Sequence, residues 1–251
     1  MSSTEVPQET AFPSILFEDD EILILFKPST WFVHPPENPR HRRGLKRRTC
    51  VQWLMDVHQI KANPAHRIDV PTEGVLVFGK TKKATAHLNL QFKNQSVKKT
   101  YHAVVRGWFQ TSNGAIELPL ELDSTQVLVP CLTRYRTLKQ IELDFSVHPK
   151  FSTSRYSLLE VHPQTGRWHQ IRRHMNRVSH PLIGDREHGD SRHSRFFREK
   201  LSIEGLCLRA FQLQIIHPES LQEVTFTSPQ TARWNTIENL FQEKKERLLG
   251  S

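Results

Sequence analysis

Apolar residues along this chain cluster in short runs that alternate with polar ones. Ile15-Leu16-Phe17 and Glu21-Ile22-Leu23-Ile24-Leu25-Phe26 read as two strands, and the acidic Glu18-Asp19-Asp20 between them predicts a hairpin. Lys27-Pro28-Ser29 closes the second strand. The run Val75-Leu76-Val77-Phe78 predicts a strand that can be buried. Thr49 is placed to cap a helix carrying Val51, Leu54, Met55 and His58. Thr81 is placed to cap another through about Phe92, with Ala84, Leu88 and Phe92 on one stripe.

Lys98 to Gly107 predicts a long strand with Tyr101, Ala103 and Val105 on one side. Shorter strands are expected at Ile116-Glu117-Leu118, from Gln140 to Phe145 and from Arg155 to Val161. After the turn Pro163-Gln164-Thr165-Gly166 a helix is expected from near Arg167, with Trp168, Ile171, Met175 and Val178 as its apolar stripe. Gly184 to Phe197 reads as a polar loop rich in His and Arg. Leu206 to Ile216 reads as a strand, and Trp234 to Lys245 as a closing helix. Many strands, a few interspersed helices and no βαβ regularity predict an α+β class with a mixed, mostly antiparallel sheet flanked by helices and loops. Residues 1–12 read as a loose polar tail, and 13–251 as one domain with no internal repeat or linker.

Charge narrows the class of partner. Among 251 residues, Lys and Arg number 35 against 26 Asp and Glu, a net charge of +9, which favours a polyanion and nucleic acid first. A basic segment at 35–48 (Arg40, Arg42, Arg43, Lys46, Arg47, Arg48) reads either as a solvated loop or as an arm that grips phosphates. No apolar run is long enough to span a membrane, and the N-terminus lacks the basic and apolar blocks of a signal peptide. Cys50, Cys131 and Cys207 form no CxxC and read as reduced thiols of a cytoplasmic protein.

Familiar catalytic motifs are missing. No glycine-rich phosphate loop and no G-x-S-x-G elbow is present. His169 and His174 are five apart, as are His188 and His193, a poor fit to one helix face; Asp185, His188, Asp190 and His193 form a weak cation candidate, and no metal is expected. What remains is His66-Arg67-Ile68-Asp69-Val70-Pro71-Thr72-Glu73-Gly74. Its Arg67 and Asp69 share one side of an extended chain before a rigid turn. Alone, this describes an ordinary surface ion pair. A carboxylate on such a ledge could also attack carbon or move a proton, if a cation keeps it ionised.

Three stretches taken together change the reading: His66-Arg67-Ile68-Asp69 with Thr72 and Gly74, then Lys99-Thr100-Tyr101, then Gly166-Arg167-Trp168-His169-Gln170-Ile171-Arg172. In this order they resemble the RluA-type pseudouridine synthase superfamily, over roughly residues 15 to 230. Arg172-Arg173-His174-Met175, His180-Pro181-Leu182-Ile183-Gly184-Asp185 and His188-Gly189-Asp190 are similar to the C-type tRNA pseudouridine synthases, which act on uridine 65 and lack an S4 module.

The resemblance implies isomerisation of uridine in RNA, with tRNA first and large-subunit rRNA second, and with no cofactor or obligatory protein partner. Asp69 would attack the sugar or remove a ribose proton, Arg172 would pair with Asp69, and Tyr101 would stack on the uracil. Arg67 would fill the space of the flipped base or hold the neighbouring backbone. Arg167, Arg173 and the segment holding Arg42, Arg43, Arg47 and Arg48 would meet phosphates. His66, Thr72 and Gly74 would shape the turn, with His66 and Thr72 bordering the substrate. Two positions depart from the pattern. Val70 stands where the C-type has Arg. Glu73 stands where the family has Ser, and there it would raise the Asp69 pKa and repel phosphate. An inert RNA-binding protein of the same fold is the alternative from another class, and a metal-dependent nuclease is more distant.

Overall fold

The two continuous apolar runs become neighbouring strands because each of their residues has a core on its side of the sheet. Ile22–Lys27 pairs antiparallel with Glu73–Gly79, and every residue of both strands is buried. The computed structural model describes residues 12–35, 49–122, 125 and 127–247. The expected tail up to residue 11, and the basic segment from 36 to 48 with Arg42, Arg43, Arg47 and Arg48, lie outside the described residues. The chain divides into two compact units. One holds residues 12–101 with Arg209–Pro229; the other holds His102–Leu208 and the chain from Gln230.

In the first unit Ser14–Glu18 forms the expected hairpin with Ile22–Lys27. The strand Leu208–Ile216 enters this unit at Arg209 and runs parallel to Glu73–Gly79, with Glu223–Thr227 folded back antiparallel upon it. Alternate side chains sort the core into two layers. Leu23, Leu25, Leu76 and Phe78 meet Cys50 and Leu54 of helix α1 (Cys50–His58), together with Trp31, Val33 and Ile68. On the opposite face Ile22, Ile24, Val75 and Val77 meet Leu88 and Phe92 of helix α2 (Lys82–Lys93). Thr49 and Thr81 cap these helices, accepting from the N–H groups of Gln52 and Ala84. The expected α1 stripe holds at Leu54 and Val51, but Met55 is 42% exposed, His58 is exposed too, and Cys50 joins the contacts.

In the second unit Ser154–Pro163 pairs along its full length with Thr133–Leu143, and Asn113–Ile116 pairs with the outer side of the latter. The strand Lys98–Arg106 enters this unit at His102. Three helices follow: α3 (Gln170–Arg177), α4 (Ser191–Leu201) and α5 (Ala232–Arg247). Trp234, Ile237 and Phe241 of α5 and Phe196 and Phe197 of α4 pack on Val104, Ile141, Tyr156 and Leu158.

Several expectations are corrected here. Gly184 to Phe197 is not all loop, because Asp190 caps α4 by accepting from the Arg192 N–H, and the helix buries His193, Phe196 and Phe197. Helix α3 begins at Gln170 rather than near Arg167, and Trp168 lies outside it, 41% exposed. The strand expected at 116–118 ends at Ile116, and the strand expected from Gln140 starts at Thr133.

Candidate active site

The candidate carboxylate sits on a turn fastened by main-chain bonds. Ile68 is anchored in the α1-side core, and Asp69 follows it, half-buried. The Asp69 carbonyl accepts from the Thr72 N–H at 3.0 Å. The next carbonyl, Val70, accepts from the Thr30 N–H at 2.9 Å and from Lys27 Nζ at 3.0 Å. Lys27 is fully buried, and its ammonium also donates to the carbonyls of Pro28 and Trp31. Three carbonyls match the three N–H bonds of an ammonium, which is what makes the burial tolerable. Thr30 holds its end of the arrangement with φ at 74°, a costly conformation for a β-branched residue.

Beyond the turn, Gly74 has φ 133°, and a Cβ there would lie 2.1 Å from the Ala210 carbonyl oxygen. Only glycine lets the parallel strand come this close. Thr72 is buried, and its hydroxyl has no hydrogen-bond partner among the described residues, a cost of about 1–3 kcal/mol. Glu73, expected to act on Asp69 and on phosphate, lies in the buried strand. It is 5% exposed, and its register partner on the parallel strand is the fully buried Arg209.

Tyr101 packs against the same core layer as Ile68. Burial pushes its phenol pKa up, and the charge of Asp69 adds to the rise, so the two side chains are near neighbours and the phenol stays protonated. Tyr101 can therefore donate a hydrogen bond or support a ring at neutral pH, but it cannot serve as a base. Lys99 lies on the same side of its strand, and burial pulls its ammonium down to about 8. His66 stacks on Phe92 with ring centroids 4.6 Å apart, and its Nε2 accepts from the Val77 N–H at 3.3 Å. Burial first and the charge of Lys99 second pull its pKa to about 3. Arg67 is exposed.

The neutral state of His66 has a pH consequence. Unfolding restores an ordinary imidazole near pH 6.5, so the unfolded chain binds the extra proton between about pH 3 and 6.5. Stability from this group is present above pH 6.5 and is lost as pH falls toward 3. His193, which burial pulls to about 4, acts in the same direction. The His66 share is therefore the difference between wild type and His66→Gln. Urea midpoints should fall more steeply from pH 7 to pH 5 in wild type than in the variant; parallel slopes would contradict a neutral His66.

Arg172 lies in the second unit, on α3, where the motif around it folds into a dense hydrogen-bonded group. Its Nε and Nη2 grip Asp185 at 2.8 Å each, Nη2 also reaches Glu187 at 3.0 Å, and Nη1 donates to His169 Nε2 at 2.7 Å. Arg172 and Asp185 are almost wholly buried. Burial raises the Asp185 pKa, but Arg172 and the N–H groups of His188 and Glu187 outweigh it and hold the carboxyl below its usual range. Gln170 secures the approach to the helix. Its Oε1 accepts from Thr165 Oγ1 and the Arg167 N–H, and its Nε2 donates to the Leu132 carbonyl and Thr133 Oγ1. His169 caps the helix in a left-handed conformation, φ 50°. Arg167 is exposed.

The histidines regroup relative to the expectation. His193 bonds to Tyr156 at 2.9 Å, and Asp190 binds Arg106 and Arg192. His169, Glu187 and His188 converge instead, with ligand atoms within 4.8 Å. Hydrogen bonding argues against a cation there. A guanidinium only donates, so His169 Nε2 accepts and Nδ1 carries the proton, which it gives to His188 Nε2 at 3.0 Å. The ring nitrogen facing the would-be ion is thus occupied by hydrogen. Sequence reasoning gave no side-chain role to Lys27, Gln170 or Glu187, and Asp185 appeared in a weak cation group and in a stretch of the family resemblance, with no partner assigned. Their function is to hold the motif residues, and their partners are visible only once the chain is folded.

Comparison with known proteins agrees with these features. Residues 21–177 match the family model described as RNA pseudouridylate synthase. A Vibrio cholerae protein named tRNA pseudouridine synthase C is 34% identical, over 94% of this chain and 99% of its own length. A Vibrio vulnificus protein of the same name is 33% identical, over 94% and 98%. The solved structure of human RNA Pseudouridylate Synthase Domain Containing 1 shares the fold with a TM-score of 0.66 at 23% identity, covering 87% of this chain and 84% of that one. A match over more than half of the chain, together with relatives aligned nearly end to end, establishes that this protein belongs to the RNA pseudouridylate synthase family.

Proposed function

We propose that the chain isomerises a uridine of tRNA to pseudouridine, with Asp69 as the catalytic carboxylate and 13–251 working as one catalytic domain. The observation that carries the reading is the juxtaposition of Asp69 with a protonated Tyr101 on a rigid turn in a chain of this family. The reaction breaks the bond from ribose C1′ to N1 and forms one from C1′ to C5. The C5 hydrogen leaves as a proton and N1 gains one, so atoms and electrons balance without a cofactor. An ionised Asp69 serves either as nucleophile at C1′ or as base at C2′. Tyr101 supports the uracil, and the family resemblance makes Arg172 the catalytic arginine.

Arg67 takes the space of the flipped base, His66 and Thr72 border the substrate, and Arg167 with Arg42, Arg43, Arg47 and Arg48 neutralises phosphates. Those contacts offset a flipping cost of a few kcal/mol. The tRNA assignment, at uridine 65 of the acceptor arm, rests on the C-type motifs and on the names of the relatives. A cytoplasmic setting fits the three free, buried cysteines; among the described residues no helix is long and apolar enough to cross a membrane.

The test uses purified protein with tRNA or large-subunit rRNA labelled with tritium at uridine C5. Tritium release from tRNA, mapped to the acceptor arm, is expected. Release from rRNA alone would replace the substrate, and RNA binding without release would mean an inert binding protein.

A further inference from the structure

Trp168 is the motif residue for which the fold has no internal use. Its neighbours are all engaged: Arg167 and Gln170 close the turn, and His169 and Arg172 bond to each other. Trp168 is 41% exposed, although indole is among the costlier side chains to leave in water. It is nevertheless held still. The His169 ring lies flat against it, centroids 3.8 Å apart and planes 20° from parallel, and the His188 ring meets it edge-on at 5.9 Å. His169 is itself fixed on both nitrogens, by Arg172 and by His188. The His169 ring therefore covers one face of the indole. The Arg173 guanidinium stands over the ring, 5.8 Å from its centroid, and is tied to the Glu121 carbonyl at 3.0 Å.

The surroundings discriminate between occupants. A protein partner would want a contiguous apolar patch, but the described side chains against Trp168 are His169, His188 and Arg173, all polar. A fixed, partly exposed aromatic plate with one guanidinium at its ring and an exposed arginine next in sequence is the kind of arrangement on which unpaired bases stack while cations meet the adjoining phosphates. We propose that Trp168 is a stacking platform for an unpaired nucleobase of the RNA substrate. The proposal rests on the chain being an RNA-modifying enzyme and adds a base-contacting residue to it.

The test compares Trp168→Ala, Trp168→Phe and Trp168→Leu in the full chain, after circular dichroism shows each folded. RNA affinity is read by fluorescence anisotropy with a labelled tRNA transcript, and turnover by tritium release. Loss of one stacked base corresponds to roughly 5- to 150-fold in affinity. Trp168→Ala is expected to raise Kd and KM by about tenfold, with the loss in kcat well below that. Trp168→Phe should recover most of the affinity, and Trp168→Leu, apolar but without a π face, should not. Equal affinities for wild type and Trp168→Ala would overturn the proposal, as would rescue by Leu equal to rescue by Phe. The binding arm does not need turnover: a Trp168 effect on Kd in a protein that forms no pseudouridine would uphold the platform while defeating the catalytic reading. Normal turnover with an unaffected Kd in Trp168→Ala would do the reverse.

Discussion

Asp69→Asn is expected to abolish pseudouridine formation while leaving the protein folded and able to bind RNA. The substitution keeps shape and removes charge. The turn itself is held through main-chain groups, the Asp69 carbonyl with Thr72 and the Val70 carbonyl with Thr30 and Lys27, none of which involves the carboxylate. Unfolding free energy should therefore change by no more than about 1 kcal/mol. Single-turnover tritium release should fall by about a thousandfold or more, because neither attack on the sugar nor proton removal survives the loss of the anion. RNA affinity should stay within about threefold, since removing a negative charge near phosphates does not weaken binding. A second readout is independent of RNA. Burial and the Asp69 charge together raise the Tyr101 phenol, so Asp69→Asn should shift one of the three tyrosines to lower pKa in an ultraviolet titration. Retained turnover would end the carboxylate mechanism; an unmoved tyrosine would separate Asp69 from Tyr101.

Much of the first unit was legible because its strands carry their burial in their composition. Ile22 to Phe26 and Val75 to Phe78 are apolar at consecutive positions, as strands between two helical layers must be, and Thr49 and Thr81 mark the starts of those helices. The second unit was harder. Helix α4 buries only His193, Phe196 and Phe197 among its eleven residues, and the Arg and His content around them reads as loop. Spacing of three and four residues after an Asp cap was the available signal. The strand from Thr133 was missed at its start for a similar reason: Arg134, Tyr135 and Arg136 are not buried, and only pairing with Asn113–Ile116 on one side and Ser154–Pro163 on the other shows the extension. Trp168 misled because an aromatic at helical spacing from Ile171 looks like core, whereas after the left-handed N-cap His169 the helix begins two residues too late to include it.

In the candidate site, the residues that would do chemistry were legible from motif order, and the residues that hold them were not. Lys27 lies 43 residues from the Val70 carbonyl that it fastens, and nothing in Phe26-Lys27-Pro28 distinguishes a buried ammonium from a strand end in water. Glu73 shows the opposite problem. Beside Asp69 in sequence it reads as electrostatic interference, but strand alternation and the parallel register turn it toward a level occupied by buried Arg209.

Arg172→Met is expected to cost about 3–5 kcal/mol of stability before any effect on catalysis is counted. The guanidinium is the main counter-charge of Asp185, whose side chain is fully buried; without it that carboxylate keeps only the N–H groups of Glu187 and His188. Lysine at 172 should rescue little, because an ammonium cannot reproduce the fork that spans both Asp185 oxygens. Inactivity of the single variant would therefore mix two causes. Arg172→Met combined with Asp185→Leu separates them, since replacing both members of a buried pair by apolar groups is far less costly than orphaning one. The double variant should recover at least half of the lost stability by urea denaturation. Its single-turnover tritium release should still lie about a hundredfold or more below wild type, because the arginine that the family resemblance makes catalytic remains absent. Recovery of turnover along with stability would make Arg172 a structural member of the Asp185 cluster and remove it from the catalytic machinery.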